Sequence, residues 1–192
     1  MAIEELLEKL HGMFPITIPF RTELKTVMYA EEHDKLKILL KEGSSVGFAC
    51  YLEIGLVEGS VKRNGIKMVE RFYKAGEIFT DMDGFFEGKK ALIEFTTVTK
   101  CKIWVLTRAH YVELEKYKET DKLKDAMMLL EKRIDAERAY MMTLSAKERF
   151  AYFAVRYPFQ ELPNKLCASF VSMYESDYSK YKAEYLRDKN NR

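Results

Sequence analysis

All nine glycines of this 192-residue chain lie at or before Gly88. Tight turns call for glycine wherever the backbone takes positive φ. A chain that turns often and then stops turning divides into a strand-and-turn portion and a helical portion. The apolar period agrees. Residues 35–41 alternate as a strand ending at Glu42-Gly43, and residues 48–57 form a second ending at Glu58-Gly59. Val61-Lys62-Arg63, Asn64-Gly65 and residues 66–73 read as a hairpin, because Asn-Gly supplies both positive-φ residues of a two-residue turn. Ala75-Gly76 is another turn. Residues 91–99 and 102–106 are strands rich in β-branched residues, the second holding the sole tryptophan, Trp104. Short strands between glycine turns predict an antiparallel barrel or jelly roll of about ninety residues. Ahead of it, residues 3–10 form an amphipathic helix that Pro15 and Pro19 break. Residues 22–32 form another, with Leu24, Val27 and Met28 inward.

Beyond Thr107 the period is helical. Residues 110–118 make a short helix and residues 120–142 a long one. In the long helix Leu123, Met127, Leu130, Ile134, Glu137, Met141 and Leu144 recur at steps of four and three, a heptad seam interrupted by Glu137. A single helix cannot bury such a seam on itself. It can lie on the barrel, or it can pair with a second copy. The stripe is narrow and flanked by Lys124, Asp125, Glu131, Lys132 and Arg138, which favours pairing. Leu123, Met127, Leu130, Ile134 and Met141 are then the expected dimer interface.

Ser145 begins the tail as an N-cap, and Glu148 completes a capping box. That helix runs to about Arg156, where Pro158 ends it. Leu162-Pro163 leads into two short helices with a break at Val171-Ser172-Met173. Leu166 and Phe170 share a face of the first. Tyr174, Tyr178, Tyr181 and Tyr185 form a stripe on the second, with Ser176, Ser179, Lys180 and Lys182 on its outer side. Such a pair suits a helix-turn-helix reader of DNA, or a helical hairpin that only packs. Charge leans to the first reading. From Ser145 onward nine Lys/Arg face six Asp/Glu, within a whole-chain net charge of +2.

Other classes are less well served. Cys50, Cys101 and Cys167 are scattered and odd in number, which fits buried thiols in a reducing cytosol rather than a disulfide framework. With only His11, His33 and His110 and no H-x-H, a cupin-type metal enzyme lacks its ligands. No phosphate loop or nucleophile elbow is present. No apolar run approaches ~20 residues, so no membrane span is expected. MAIEELLEKL lacks the basic start and apolar core of a signal peptide.

A sensor barrel, a long helix and a three-helix tail, in that order, make the chain similar to the Crp–Fnr family of transcription regulators. The segments LLKEGSSVGFACYLEIGLVEG (39–59), NGIKMVERFYKAGEIF (64–79), LSAKERFAYFAVRYP (144–158) and LPNKLCASFVSMYESDYSKYK (162–182) carry the resemblance. It implies an α+β chain of three parts. The first, residues 1–118, is a cupin-like, cyclic-nucleotide-binding-like barrel. Residues 119–143 are a dimerisation helix, and residues 144–192 a winged-helix-like helix-turn-helix domain. It further implies a cytoplasmic homodimer, DNA and RNA polymerase as partners, and no enzymatic activity.

The resemblance also places an effector pocket at Gly76, Glu77, Asp81 and Lys90. Asp81 stands near the family's ribose-binding Glu and Lys90 near its phosphate-binding Arg. Asp is shorter than Glu, Lys lacks the planar fork, and Phe85-Phe86 is bulky for a phosphate cradle. The effector is therefore expected not to be cyclic AMP, and Asp81 and Lys90 can equally be surface charge. No resident cofactor is expected. In the tail, Ser172 replaces the family's turn glycine, and Glu175 and Asp177 bring acid to the front of the reading helix. Seven residues follow Tyr185, too few for the wing of longer members. Lys180 is placed for guanine or phosphate, Lys182 and Lys165 for phosphate, and Ser176 and Ser179 beside them. The alternative is a sensor or scaffold whose altered helix-turn-helix binds a protein partner.

Overall fold

A computed structural model describes residues 2–190. Its strands are β1 (Tyr29–His33), β2 (Ile38–Leu40), β3 (Phe48–Ile54), β4 (Leu56–Arg63), β5 (Ile66–Lys74), β6 (Ile78–Phe79), β7 (Glu94–Thr97) and β8 (Cys101–Thr107). Its helices are α1 (Ala2–His11), α2 (Ile18–Val27), α3 (Met82–Glu87), α4 (Arg108–Leu114), α5 (Glu119–Thr143), α6 (Ala146–Arg156), α7 (Asn164–Phe170) and α8 (Glu175–Asn190).

Asn64 and Gly65 take φ of 52° and 77°, the left-handed pair of a two-residue hairpin, and β4 and β5 pair on either side. Gly55, at φ 106°, separates β3 from β4, so the apolar run 48–57 is two strands rather than one. A Cβ there would stand 2.5 Å from the Lys100 carbonyl oxygen, so no other residue fits. The strands order as β1-β8-β3-β6 and β2-β7-β4-β5, all antiparallel. This is a jelly-roll sandwich of two open sheets, not a closed barrel. Tyr73, Phe79 and Phe95 meet between the sheets with ring centroids 5.3–5.7 Å apart.

Other boundaries also move. Pro19 sits in the first turn of α2 behind the N-cap Thr17, so the second helix starts at Ile18, ahead of the expected residue 22. Residues 29–32, expected as the end of a helix, instead join His33 in pairing with β8, because a full ladder against Cys101–Val105 outweighs local helical pattern. The strand at 35–41 shortens to Ile38–Leu40, with Leu36 in a turn at φ 64°. The helix α4 ends at Leu114.

The helices cover the sandwich unequally. Leu6 and Leu10 of α1, Leu24 of α2 and Leu123 and Met127 of α5 pack on Ala49, Tyr51 and Leu106 of the β1-β8-β3-β6 sheet. Leu56, Val69 and Phe72 of the other sheet join a second core, made with α6, α7, α8 and Met141 of α5. The long helix thus touches both cores.

Candidate functional site: the helix-turn-helix and the effector cleft

The tail forms as its caps dictate. The Ser145 hydroxyl and the Glu148 carboxylate make a reciprocal capping box at the start of α6. Phe150 and Phe153 project from α6 onto Tyr178, with centroids 5.1 and 6.3 Å from its ring, while Phe159 and Cys167 complete the core. Burial pushes the Tyr178 hydroxyl well up from its ordinary pKa. Between α7 and α8 the chain reverses through Ser172 at φ 51°. The Met173 amide donates to the Ala168 carbonyl at 2.9 Å, closing the turn. Arg149 of α6 clamps it, donating to the carbonyls of Val171 (3.0 Å) and Leu144 (3.1 Å). Nothing in the apolar period singles out Arg149. Its role comes from the carbonyls that two helix ends leave free.

The five residues assigned to DNA fall in three places. Ser176 and Lys180 are exposed on the outer side of α8. Ser179 and Lys182 instead stitch α8 to the start of α7. The Asn164 amide donates to Ser179 Oγ at 3.3 Å, and Lys182 Nζ donates to Asn164 Oδ1 at 2.9 Å and to the Phe159 carbonyl at 3.2 Å. Lys165 borders the cleft between α7 and the β-sandwich. The buried tyrosine stripe starts at Tyr178, four residues later than its spacing suggests. Tyr174 precedes α8 and is 81% exposed, whereas Tyr178 is fully buried.

The four effector residues do not share one pocket. Asp81 caps α3. Its Oδ1 accepts from the Gly84 amide at 2.9 Å and its Oδ2 from the Leu92 amide at 2.8 Å, so both oxygens are already engaged in shaping the segment. Lys90 Nζ donates to Ser45 Oγ at 3.0 Å. Glu77 accepts from the Lys74 amide at 2.8 Å, and burial raises its carboxyl pKa. The carbonyl of Gly76 accepts from Lys9 Nζ at 2.6 Å. Only Asp81 borders the cleft beside α5, an opening of about 290 Å³ that Glu70, Arg71, Asp83 and Glu131 also line. Arg71, its one cation among the described residues, is held by Glu131 at 2.5 Å and Asp135 at 2.8 Å. Burial lifts the Glu131 carboxyl to about 7, against the pull of Arg71. A phosphate entering here would meet carboxylates and no free cation.

The seam of α5 faces inward. Leu123 and Met127 are buried in the core of their own chain, Met141 is buried in the second core, and Leu130 and Ile134 pack half-buried against the first. The flanking charge at 131 is itself buried. What α5 exposes is another stripe, with Met128, Leu129, Lys132, Ala136, Ala139 and Tyr140. The heptad period was read correctly and its partner was not, because the sheet offers the same apolar surface a second helix would.

No protein-family model and no curated protein matches this chain. Solved structures do. FixK2 from Bradyrhizobium japonicum superposes with a TM-score of 0.71 at 13% identity, over 84% of this chain and 86% of its own. The c-di-GMP-responsive global regulator CLP of Xanthomonas campestris gives 0.67 at 14% identity, over 90% and 93%. The catabolite activator protein of Thermus thermophilus gives 0.55 at 14% identity, over 93% and 87%. At these identities the likeness is one of fold, and the fold is that of Crp–Fnr regulators along most of the chain.

Proposed function

We propose that this chain is a DNA-binding transcription regulator of Crp–Fnr type. The observation that carries the proposal is the clamped helix-turn-helix at the end of a sandwich and long helix, in the order the three solved regulators share. DNA contact falls to the exposed side of α8, where Ser176 and Lys180 have no partner within the chain among the described residues. Lys180 is the first choice for phosphate or guanine. The protein acts in the cytoplasm as a homodimer that engages RNA polymerase. The copies pair through the exposed stripe of α5, where Leu129, Lys132, Ala136 and Ala139 recur at steps of three and four. The effector is not cyclic AMP, because the cleft beside α5 is acidic and its arginine is already paired.

A second reading rests on Glu175 and Asp177, which lie exposed at the front of α8 where a DNA reader gains from positive charge. On that reading the tail binds a protein. Titration of random-sequence duplex at graded salt separates the two. A regulator binds at low salt with a log–log slope of about −0.9 for each phosphate neutralised, and Lys180→Ala lowers the slope by about one. No binding at the lowest salt removes the DNA reading and leaves the protein-binding one.

A further inference from the structure

We propose that the cleft between α7 and the outer face of the β2-β7-β4-β5 sheet binds a small amphipathic carboxylate of the size of a medium-chain fatty acid. The cleft measures about 400 Å³, within the range of small-ligand sites. Leu36, Val69 and Val98 line it from the sheet side, and Pro163 and Leu166 from the tail. At one point the two sides meet, where Ser169 Oγ accepts from the Val69 amide at 2.9 Å.

The polar groups of the cleft are few, and their states differ. Lys67 is already paired, with Glu58 at 2.5 Å and Glu94 at 3.3 Å, so that wall is closed to further charge. Lys165 lines the cleft, is exposed, and makes no ion pair among the described residues. Thr96 lines it too. The residue is 7% exposed, and its hydroxyl has no hydrogen-bond partner among the described residues. Ser60, in register with Val69 on the same sheet, is a second buried hydroxyl without a partner. An unpartnered buried hydroxyl is costly to leave unsatisfied, and it can donate to a ligand oxygen seated in the cleft.

Glu58, Lys67, Thr97 and Ser169 also line the cleft but are engaged within the chain, so one unpaired ammonium and one unpartnered hydroxyl beside its apolar walls select a molecule with a single anionic end and a hydrocarbon body. A cation would compete with Lys67 for Glu58, and a polyphosphate would find only one cation. A ligand seated there touches the sheet and α7 at once, so it fastens the tail to the sandwich. The site stands apart from the acidic cleft beside α5, and it does not depend on whether the tail reads DNA.

Decanoate is the probe, titrated calorimetrically into the full chain without DNA and below its aggregation concentration. We expect one site per chain with a Kd on the order of 0.1 mM, from its dozen non-hydrogen atoms. Lys165→Met should weaken decanoate about tenfold while leaving decanol, the uncharged analogue, unchanged. Thr96→Val should weaken decanoate about fivefold. Val98→Trp, or Leu166→Trp if the first does not fold by circular dichroism, fills the cleft and should abolish binding. The proposal is overturned if decanoate fails to bind, if a folded tryptophan variant binds it as the native chain does, or if Lys165→Met discriminates decanoate from decanol as well as the native chain does. Loss of DNA binding in the salt titration would leave each of these results as it stands.

Discussion

The two outer faces of the sandwich are covered in opposite ways. Over the β1-β8-β3-β6 sheet, α1, α2 and the first half of α5 close down until the remaining void is about 20 Å³. Over the β2-β7-β4-β5 sheet, α7 rests on Phe72 through Phe170, with ring centroids 4.6 Å apart, and leaves about 400 Å³ open beside that contact. The first face is interior in all but position. The second is a joint between two units, each with its own aromatic core. The second face leaves its covering helices room to move, and the first does not.

The sharpest way to break this comparison is to insert a charge on the closed face. Met127 is 2% exposed and lies among mostly apolar side chains there, with no cation lining that void. Met127→Asp buries an unpaired carboxylate, with a cost above about 4 kcal/mol. We expect no cooperative thermal transition. A variant that melts within a few degrees of the native chain would show that the face is not closed.

Next in size is Phe72→Ala. Phe72 reaches the tail from the sheet side, with Tyr157 at 5.6 Å and Phe153 at 6.4 Å as well as Phe170, so the change removes the anchor and leaves the tail's own side chains in place. The loss is about 3 kcal/mol, and it should fall on the joint. Amide hydrogen exchange should quicken in α7 and in β5 opposite it, with β3 and β8 as protected as before. Uniform quickening through both sheets would mean that the two faces are one cooperative unit.

Glu131 lies on α5 between the two cores, facing Arg71, Tyr73, Asp135 and the more distant Asp81. Its carboxyl titrates at about 7 in the fold against 4.5 ordinarily, because burial disfavours the charge. A raised acid favours the fold while protonated. Its contribution is complete below about pH 4.5 and is lost as pH rises through 7. At ~1.4 kcal/mol per pH unit, the span from 4.5 to about 7, which already includes the opposing pull of Arg71, comes to about 3 kcal/mol. Urea midpoints should fall between pH 5 and pH 8 in the native chain and fall less steeply in Glu131→Gln, which keeps an acceptor for the Tyr73 hydroxyl and leaves the smaller contribution of the buried Glu77 carboxyl in place. Equal slopes in the two proteins would sink this account.

Sequence legibility followed the same division. The hairpin at Asn64-Gly65, the capping box at Ser145 and the break at Ser172 were readable because each is fixed by its own few residues. The partner of α5 was not. A heptad seam states that something apolar covers Leu123 and Met127, and a sheet satisfies it as well as a helix does. The effector residues failed for a related reason. Spacing placed Gly76, Glu77, Asp81 and Lys90 in one segment, but whether their atoms are free depends on Leu92, Ser45, Lys74 and Lys9, distant or unremarkable in the pattern. Lys182 looked like a phosphate contact for want of any sign that Asn164 would engage it.

The smallest expected effect separates the faces most cleanly. Where the β-sandwich turns through left-handed backbone it mostly uses glycine, at residues 43, 55, 65, 76 and 88, with Leu36 and Asn64 besides, whereas the tail turns through Ser172 at φ 51°. A side chain there costs about 1 kcal/mol or somewhat more, part of which Ser172→Gly returns by relieving the strain. The remainder is lost to the freer unfolded chain of a glycine. The net gain of about 0.5 kcal/mol should appear only in α7 and α8. Ser172 itself is exposed and lies at the far end of α7 from Pro163, away from the cleft. If the tail opens independently of the sandwich, exchange in α8 slows and exchange in β3 and β8 does not change. If the gain spreads over the whole chain, the joint is tighter than its open cleft suggests, and any switching needs a ligand to loosen it rather than to fasten it.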